Sequence, residues 1–85
     1  MVVIERILVT EKFEKDVSKL RDRNIKDRID SEVKGISENP EIGKPLSNAL
    51  KGERAVRINP YRLIYKKEGN ILILLRFEHR KNVYD

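Results

Sequence analysis

With 85 residues, of which 39 % are hydrophobic and 39 % charged, the chain has material for one thin core and none for a membrane span, which needs about 20 consecutive apolar residues. The absence of cysteine removes disulfides and thiolate chemistry and fits a cytoplasmic location, and the single histidine cannot build a histidine-rich metal site. The net charge of +5 is unevenly spread: residues 1–43 hold nine Lys/Arg against ten Asp/Glu, residues 44–85 ten against four, which points to a polyanionic partner for the second half.

VVIERILV, residues 2–9, reads as a first strand because it is mostly β-branched or apolar. Its embedded Glu5 and Arg6 do not suit a secretory signal. Thr10 offers an N-cap with Glu11 behind it. Phe13, Val17 and Leu20 at helical spacing then predict a helix over roughly 11–22. Asn24 can cap a second helix, whose stripe is Ile25, Ile29, Val33 and Ile36 and whose stop is Asn39-Pro40. The short connector predicts an antiparallel helical hairpin. Both stripes are read as core, since the outer faces mix charges of both signs.

EIGKPLSNALKGE is a loop, with Leu46 and Leu50 expected to pin it inward and Lys44 and Lys51 on its outside. From Arg54 onward the pattern becomes strands: RAVRI, YRLIYK and ILILLRF, joined by Asn59-Pro60 and by EGN, both suited to tight turns. ILILL is apolar at successive positions and is expected mid-sheet, covered on both faces. The fold class is α+β: an N-terminal strand and a helical hairpin packed on one face of an antiparallel sheet, in the order β-α-α-β-β-β, with residues 1–85 as a single domain.

Sheet parity then sorts the cations. If Val56 and Ile58 face the helices, Arg57 faces the open side. Arg62 shares a face with Ile64 and Lys66, while Arg76, Glu78 and Arg80 share another parity that Tyr84 continues. If these groups converge, the open face carries Arg57, Arg62, Arg76, Arg80 and Tyr84, with Lys51 and Arg54 at its rim. Guanidinium forks match a phosphate and stabilise charge developing in phosphoryl transfer, while a phenol can stack on an RNA base or exchange a proton. His79 has a suitable intrinsic pKa for a base, but its parity points it away from Arg80. No Gly-rich phosphate loop or Ser-His-Asp set can be assembled, and carboxylates are too sparse in the basic half for a two-metal nuclease. No cofactor, metal or small-molecule substrate is expected.

The run LKGERAVRINPYRLIYKKEGNILILLRFEHRKNVY resembles the RelE/ParE superfamily of toxin–antitoxin toxins, and within it RelE-like toxins of archaeal type. The likeness is carried by Leu50 with Gly52, by Tyr61-Arg62-Leu63-Ile64-Tyr65, and by His79-Arg80 with Tyr84. NPEIGKPL is similar to the family's loop after the second helix. The resemblance implies a ribosome-dependent mRNA endonuclease that arrests translation, works by metal-independent attack of the 2′-hydroxyl on the adjacent phosphate, and is neutralised by a cognate antitoxin. It implies catalytic roles for Arg57, Arg62, Arg80 and Tyr84. Ala55 stands where the bacterial prototype has lysine, with Lys51, Arg54 or Arg57 as substitutes. A ParE-like inhibitor of DNA gyrase and a non-catalytic RNA- or protein-binding module share the same fold and remain alternatives.

Overall fold

The computed structural model describes residues 3–46 and 52–80. The elements are β1 (Arg6–Val9), α1 (Glu11–Ser18), α2 (Arg23–Glu38), β2 (Lys44–Pro45), β3 (Glu53–Ile58), β4 (Tyr61–Glu68) and β5 (Ile71–His79). Five strands form one sheet in the order β1-β5-β4-β3-β2. The sheet is mixed rather than antiparallel: β1 runs parallel to β5, and the other pairs are antiparallel. The helical hairpin returns the chain between β1 and the β3-β4-β5 meander, so β1 can join the far side of β5 in the same direction. The short β2, expected as loop, extends the opposite edge through two residue pairs.

Thr10 anchors the first turn as expected. Its hydroxyl accepts from Phe13 N–H at 3.0 Å and donates to Leu75 O at 2.7 Å, so one side chain caps α1 and ties it to β5. Helix α1 ends four residues before the expected limit of 22, because Asp22 and not Asn24 caps α2. The Asp22 carboxylate accepts from the backbone of Asn24 and Ile25 at 2.8 and 3.4 Å. With Asp22 committed to the start of α2, the connector must leave helical geometry, and it turns Leu20 into the core. The α2 stripe packs as read: Ile25, Ile29 and Ile36 are buried and Val33 lies against them.

The helices cover one face of the sheet only. On β5, Leu72, Leu74 and Phe77 are buried on that face, whereas Ile71, Ile73 and Leu75 remain half-buried on the other. The expected cover on both faces of ILILL is therefore absent from the described residues. The odd step from Leu74 to Phe77 follows from a break in the β4–β5 register: Tyr65 pairs with Leu74 but Ile64 pairs with Arg76, leaving Leu75 as an inserted residue. Without that bulge, Arg76 and Glu78 would share the parity of Leu72 and Leu74 and point into the apolar core. The bulge sends both charges to the open face and brings Phe77 inward, where it stacks on Tyr61 at 4.8 Å and meets the edge of Phe13 at 6.3 Å.

Tyr65 ties the loop after α2 to the sheet. It is fully buried, and its hydroxyl donates to Pro40 O at 2.7 Å and accepts from Gly43 N–H at 2.9 Å. A Cβ on Gly43 would stand 2.6 Å from that hydroxyl oxygen, so only glycine fits. Desolvation raises the phenol above its ordinary value of 10.0, against smaller opposing effects of the Gly43 bond and the Arg54 charge. Replacing Tyr65 by Phe strands Gly43 N–H and Pro40 O and should cost about 1–3 kcal/mol in urea denaturation. The folded state holds the phenolic proton more tightly than the unfolded chain, so this contribution is complete below about pH 10 and is lost as pH rises through the folded value. The Tyr65→Phe protein should lack that alkaline loss; an unchanged urea midpoint would contradict the clamp.

Candidate functional site

The open face is built by register. Across β3, β4 and β5 one row reads Arg57, Arg62, Glu78; the next reads Lys44, Ala55, Ile64, Arg76 and includes β2. Leu46 N–H donates to Glu53 O, so by alternation the backbone groups of Glu53, Ala55 and Arg57 point toward β2, and those of Val56 and Ile58 toward β4. Arg57 and Arg62 are thus a non-hydrogen-bonded pair, the cross-strand position of closest approach, with about 4.5 Å between Cα atoms. Like charges placed so oppose sheet formation. The Arg57 side chain is exposed, and no described residue engages its guanidinium. The backbone thus holds two cations side by side.

Arg80 completes the group. Its backbone N–H donates to Pro60 O at 2.8 Å, which ties the end of β5 to the cis Asn59–Pro60 turn between β3 and β4. Arg57, Arg62 and Arg80 line one cleft of about 640 Å³. Ala55, Ile42, Lys44, Pro45 and Leu46 line the same cleft, Lys44 beside Ala55 on the open face and Pro45 beside Arg54. Glu32 of α2 and Val56 of β3 also line it.

The remaining predicted residues fall elsewhere. Arg76 shares the open face but its guanidinium is taken: it donates to Glu53 at 3.0 Å and to Glu78 at 2.9 Å. Desolvation works against that charge, but the hydrogen bond and attraction of Glu53, followed by those of Glu78, outweigh it and hold Arg76 protonated more firmly than an ordinary arginine. The pair flanks Ile64, which is buried although it faces away from the helices. Arg54 has the parity of Val56 and turns to the helix side, donating to Gly43 O at 2.7 Å and Glu41 O at 3.3 Å. His79 lies edge-on to Tyr61 at 5.2 Å, on the face opposite the arginine row, as its parity implied. Lys51 and Tyr84 are outside the described residues, as is Leu50.

Three site residues escaped the sequence reading. Lys44, expected on the outside of a loop, is the cross-strand neighbour of Ala55 and lines the cleft. An amine thus reaches the open face from the next strand, beside the alanine. Glu53 and Glu78 hold Arg76 in place. The sequence carries no register, so neither the Lys44–Ala55 pairing nor the bulge that turns Glu78 outward was visible in it.

A helical hairpin on one side of a mixed sheet, with arginines gathered on the other, defines a toxin of the RelE/ParE superfamily. Residues 7–84 match the family described as "ParE toxin of type II toxin-antitoxin system, parDE", and the chain belongs to it. Toxin RelG of Mycobacterium tuberculosis is 32 % identical over 73 residues, 82 % of this chain and 84 % of that protein. The toxin-antitoxin complex RelBE2 of the same organism superposes with a TM-score of 0.76 at 28 % identity, over 92 % of this chain and 100 % of the matched one. In the RelB-RelE antitoxin-toxin complex of Methanococcus jannaschii the matched chain shares 23 % identity and the fold, at a TM-score of 0.73 over 92 % of this chain and 95 % of that one.

Two substitutions separate the roles of the arginines. Arg57→Gln relieves a like-charge pair and should leave the thermal midpoint unchanged or raised. Arg76→Gln leaves the Glu53 carboxylate buried without its cation; with the Arg76 side chain 26 % exposed, the discounted cost is about 2–3 kcal/mol in urea denaturation. A loss of stability in Arg57→Gln as large as that in Arg76→Gln would contradict the assignment.

Proposed function

We propose that this toxin is a ribosome-dependent mRNA endonuclease neutralised by a cognate antitoxin. The observation that carries the reading is the cleft in which Arg57 and Arg62, opposed across β3 and β4, meet Arg80. Arg62 and Arg80 hold the scissile phosphate and stabilise the charge of the transition state, and Arg57 is a second phosphate contact. The 2′-oxygen bonds to phosphorus while the P–O5′ bond breaks, giving a 2′,3′-cyclic phosphate and a 5′-hydroxyl. The proton lost by the 2′-hydroxyl is balanced by the one gained at the 5′-oxygen, and Tyr84 is the group assigned to stack on a base or exchange a proton. Lys44 and Lys51 steer RNA into the cleft. Arg76, committed to two carboxylates, sets the shape of the site instead of holding phosphate.

Arginines position and stabilise, but they are poor proton acceptors. A site rich in them and without a well-tuned base depends on a substrate already bent for in-line attack, and the ribosome supplies that orientation. An antitoxin is supported by the solved relatives, which are toxin–antitoxin complexes. It is supported also by two surfaces with exposed apolar residues, both outside the arginine cleft. One is a groove of about 450 Å³ between the helices, lined by Val9, Phe13, Val17 and Ile29. The other is the outer edge of β1, where Ile7, Leu8 and Val9 are 43 %, 44 % and 43 % exposed.

The matched family is described by its ParE toxin, which favours inhibition of DNA gyrase as a second reading. The His79-Arg80 ending with Tyr84 favours the nuclease. Primer extension on message translated in vitro should show stops inside codons at the decoding position, at least about 100-fold faster than cleavage of the same RNA without ribosomes. Arg62→Ala and Arg80→Ala should each reduce the stops about 100-fold or more. Equal rates with and without ribosomes would reject ribosome dependence, and loss of gyrase supercoiling without cleaved message would establish the second reading.

A further inference from the structure

Part of the cleft lining is apolar and rigidly held. Ile42 is 54 % exposed, and half-buried Leu46 lines the same cleft. Exposed isoleucine is unremarkable on a mobile loop, but this backbone is locked from beneath. Ile42 N–H donates to Asn39 O, Gly43 N–H to the buried Tyr65 hydroxyl, and the Glu41 and Gly43 carbonyls accept from Arg54. The clamp presents an apolar side chain to solvent in a fixed place. Three arginines line the same 640 Å³, and Lys44 lies between Ile42 and Leu46 in the chain.

We propose that Ile42 and Leu46 form a subsite for the nucleobase adjoining the phosphate bound by Arg57, Arg62 and Arg80. The assignment rests on the phosphodiester reading above and adds to it a contact with the base. A nucleotide joins a dianionic or monoanionic phosphate to a flat ring with apolar faces, and the cleft offers both cations and aliphatic surface. Its volume lies within the range of about 300–1,000 Å³ usual for small-molecule sites. Preorganisation by Tyr65 and Arg54 means that little ordering is required when the base lands.

The test is a nuclear magnetic resonance titration of the full chain, freed of antitoxin, with inorganic phosphate, ribose 5-phosphate and nucleoside 3′-monophosphates at matched ionic strength. The nucleotides should bind about tenfold more tightly than the base-less sugar phosphate, the gain expected from covering part of one isoleucine. Ile42→Ser should erase that difference while leaving inorganic phosphate binding unchanged, which also reports that the variant is folded. Equal binding of nucleotide and sugar phosphate, or a difference that survives Ile42→Ser, overturns the subsite and leaves the arginine site standing. An Ile42→Ser protein that releases antitoxin but still discriminates nucleotides overturns it in favour of a peptide contact. Absence of any Arg57-dependent phosphate binding overturns the phosphate site and the subsite together.

Discussion

The register of β3 against β4 sets Arg57 opposite Arg62 at the point where two strands bring side chains nearest. Everything proposed for the open face depends on that constraint. Cross-strand neighbours ordinarily support a sheet by apolar contact or opposite charge, and two guanidinium groups do neither. The backbone pays this cost because the pairs on either side of Arg57 in β3 are apolar and face the core: Val56 with Leu63 and Ile58 with Tyr61. Burial on one face holds in place a repulsion on the other.

Two carboxylates on the same face as the pair, those of Glu53 and Glu78, are engaged by Arg76. Glu78 pairs in register with Arg62, yet its carboxylate is hydrogen-bonded to Arg76, which Glu53 holds from the other side. These two acidic groups are thereby bound to a cation outside the cleft. The β5 bulge makes this possible by turning Arg76 and Glu78 outward together. On the opposite flank, Tyr65 and Arg54, both with helix-face parity, fix the loop that carries Ile42 and Lys44. The core thus determines the shape of a site on the far side of the sheet, through backbone carbonyls and one glycine rather than through contacts with the cations themselves.

Periodicity made much of this legible. The Ile25-Ile29-Val33-Ile36 stripe, the Thr10 cap and the meander of three strands follow from local chemistry, and alternation alone placed Arg57 on the face away from the helices. What depended on pairing was not legible. The parallel joining of β1 to β5, the two-residue strand at Lys44–Pro45 and the insertion of Leu75 are relations between distant segments. Arg54 shows the difference within one strand. Its parity with Val56 was available, but its partners are carbonyls of a loop whose position no local pattern gives. Capping was ambiguous for another reason: Asp22 and Asn24 are both good caps, and only one can start a helix whose stripe begins at Ile25.

A double-mutant cycle at Arg57 and Arg62 measures the central constraint most directly. Stability is determined for the parent, Arg57→Gln, Arg62→Gln and the double variant, first without polyanion and then with a saturating non-cleavable oligoribonucleotide. The account predicts an unfavourable coupling between the two arginines in the free protein and a favourable one in the complex, because the phosphate bridges them. A coupling of zero, or one that keeps the same sign in both conditions, would contradict it.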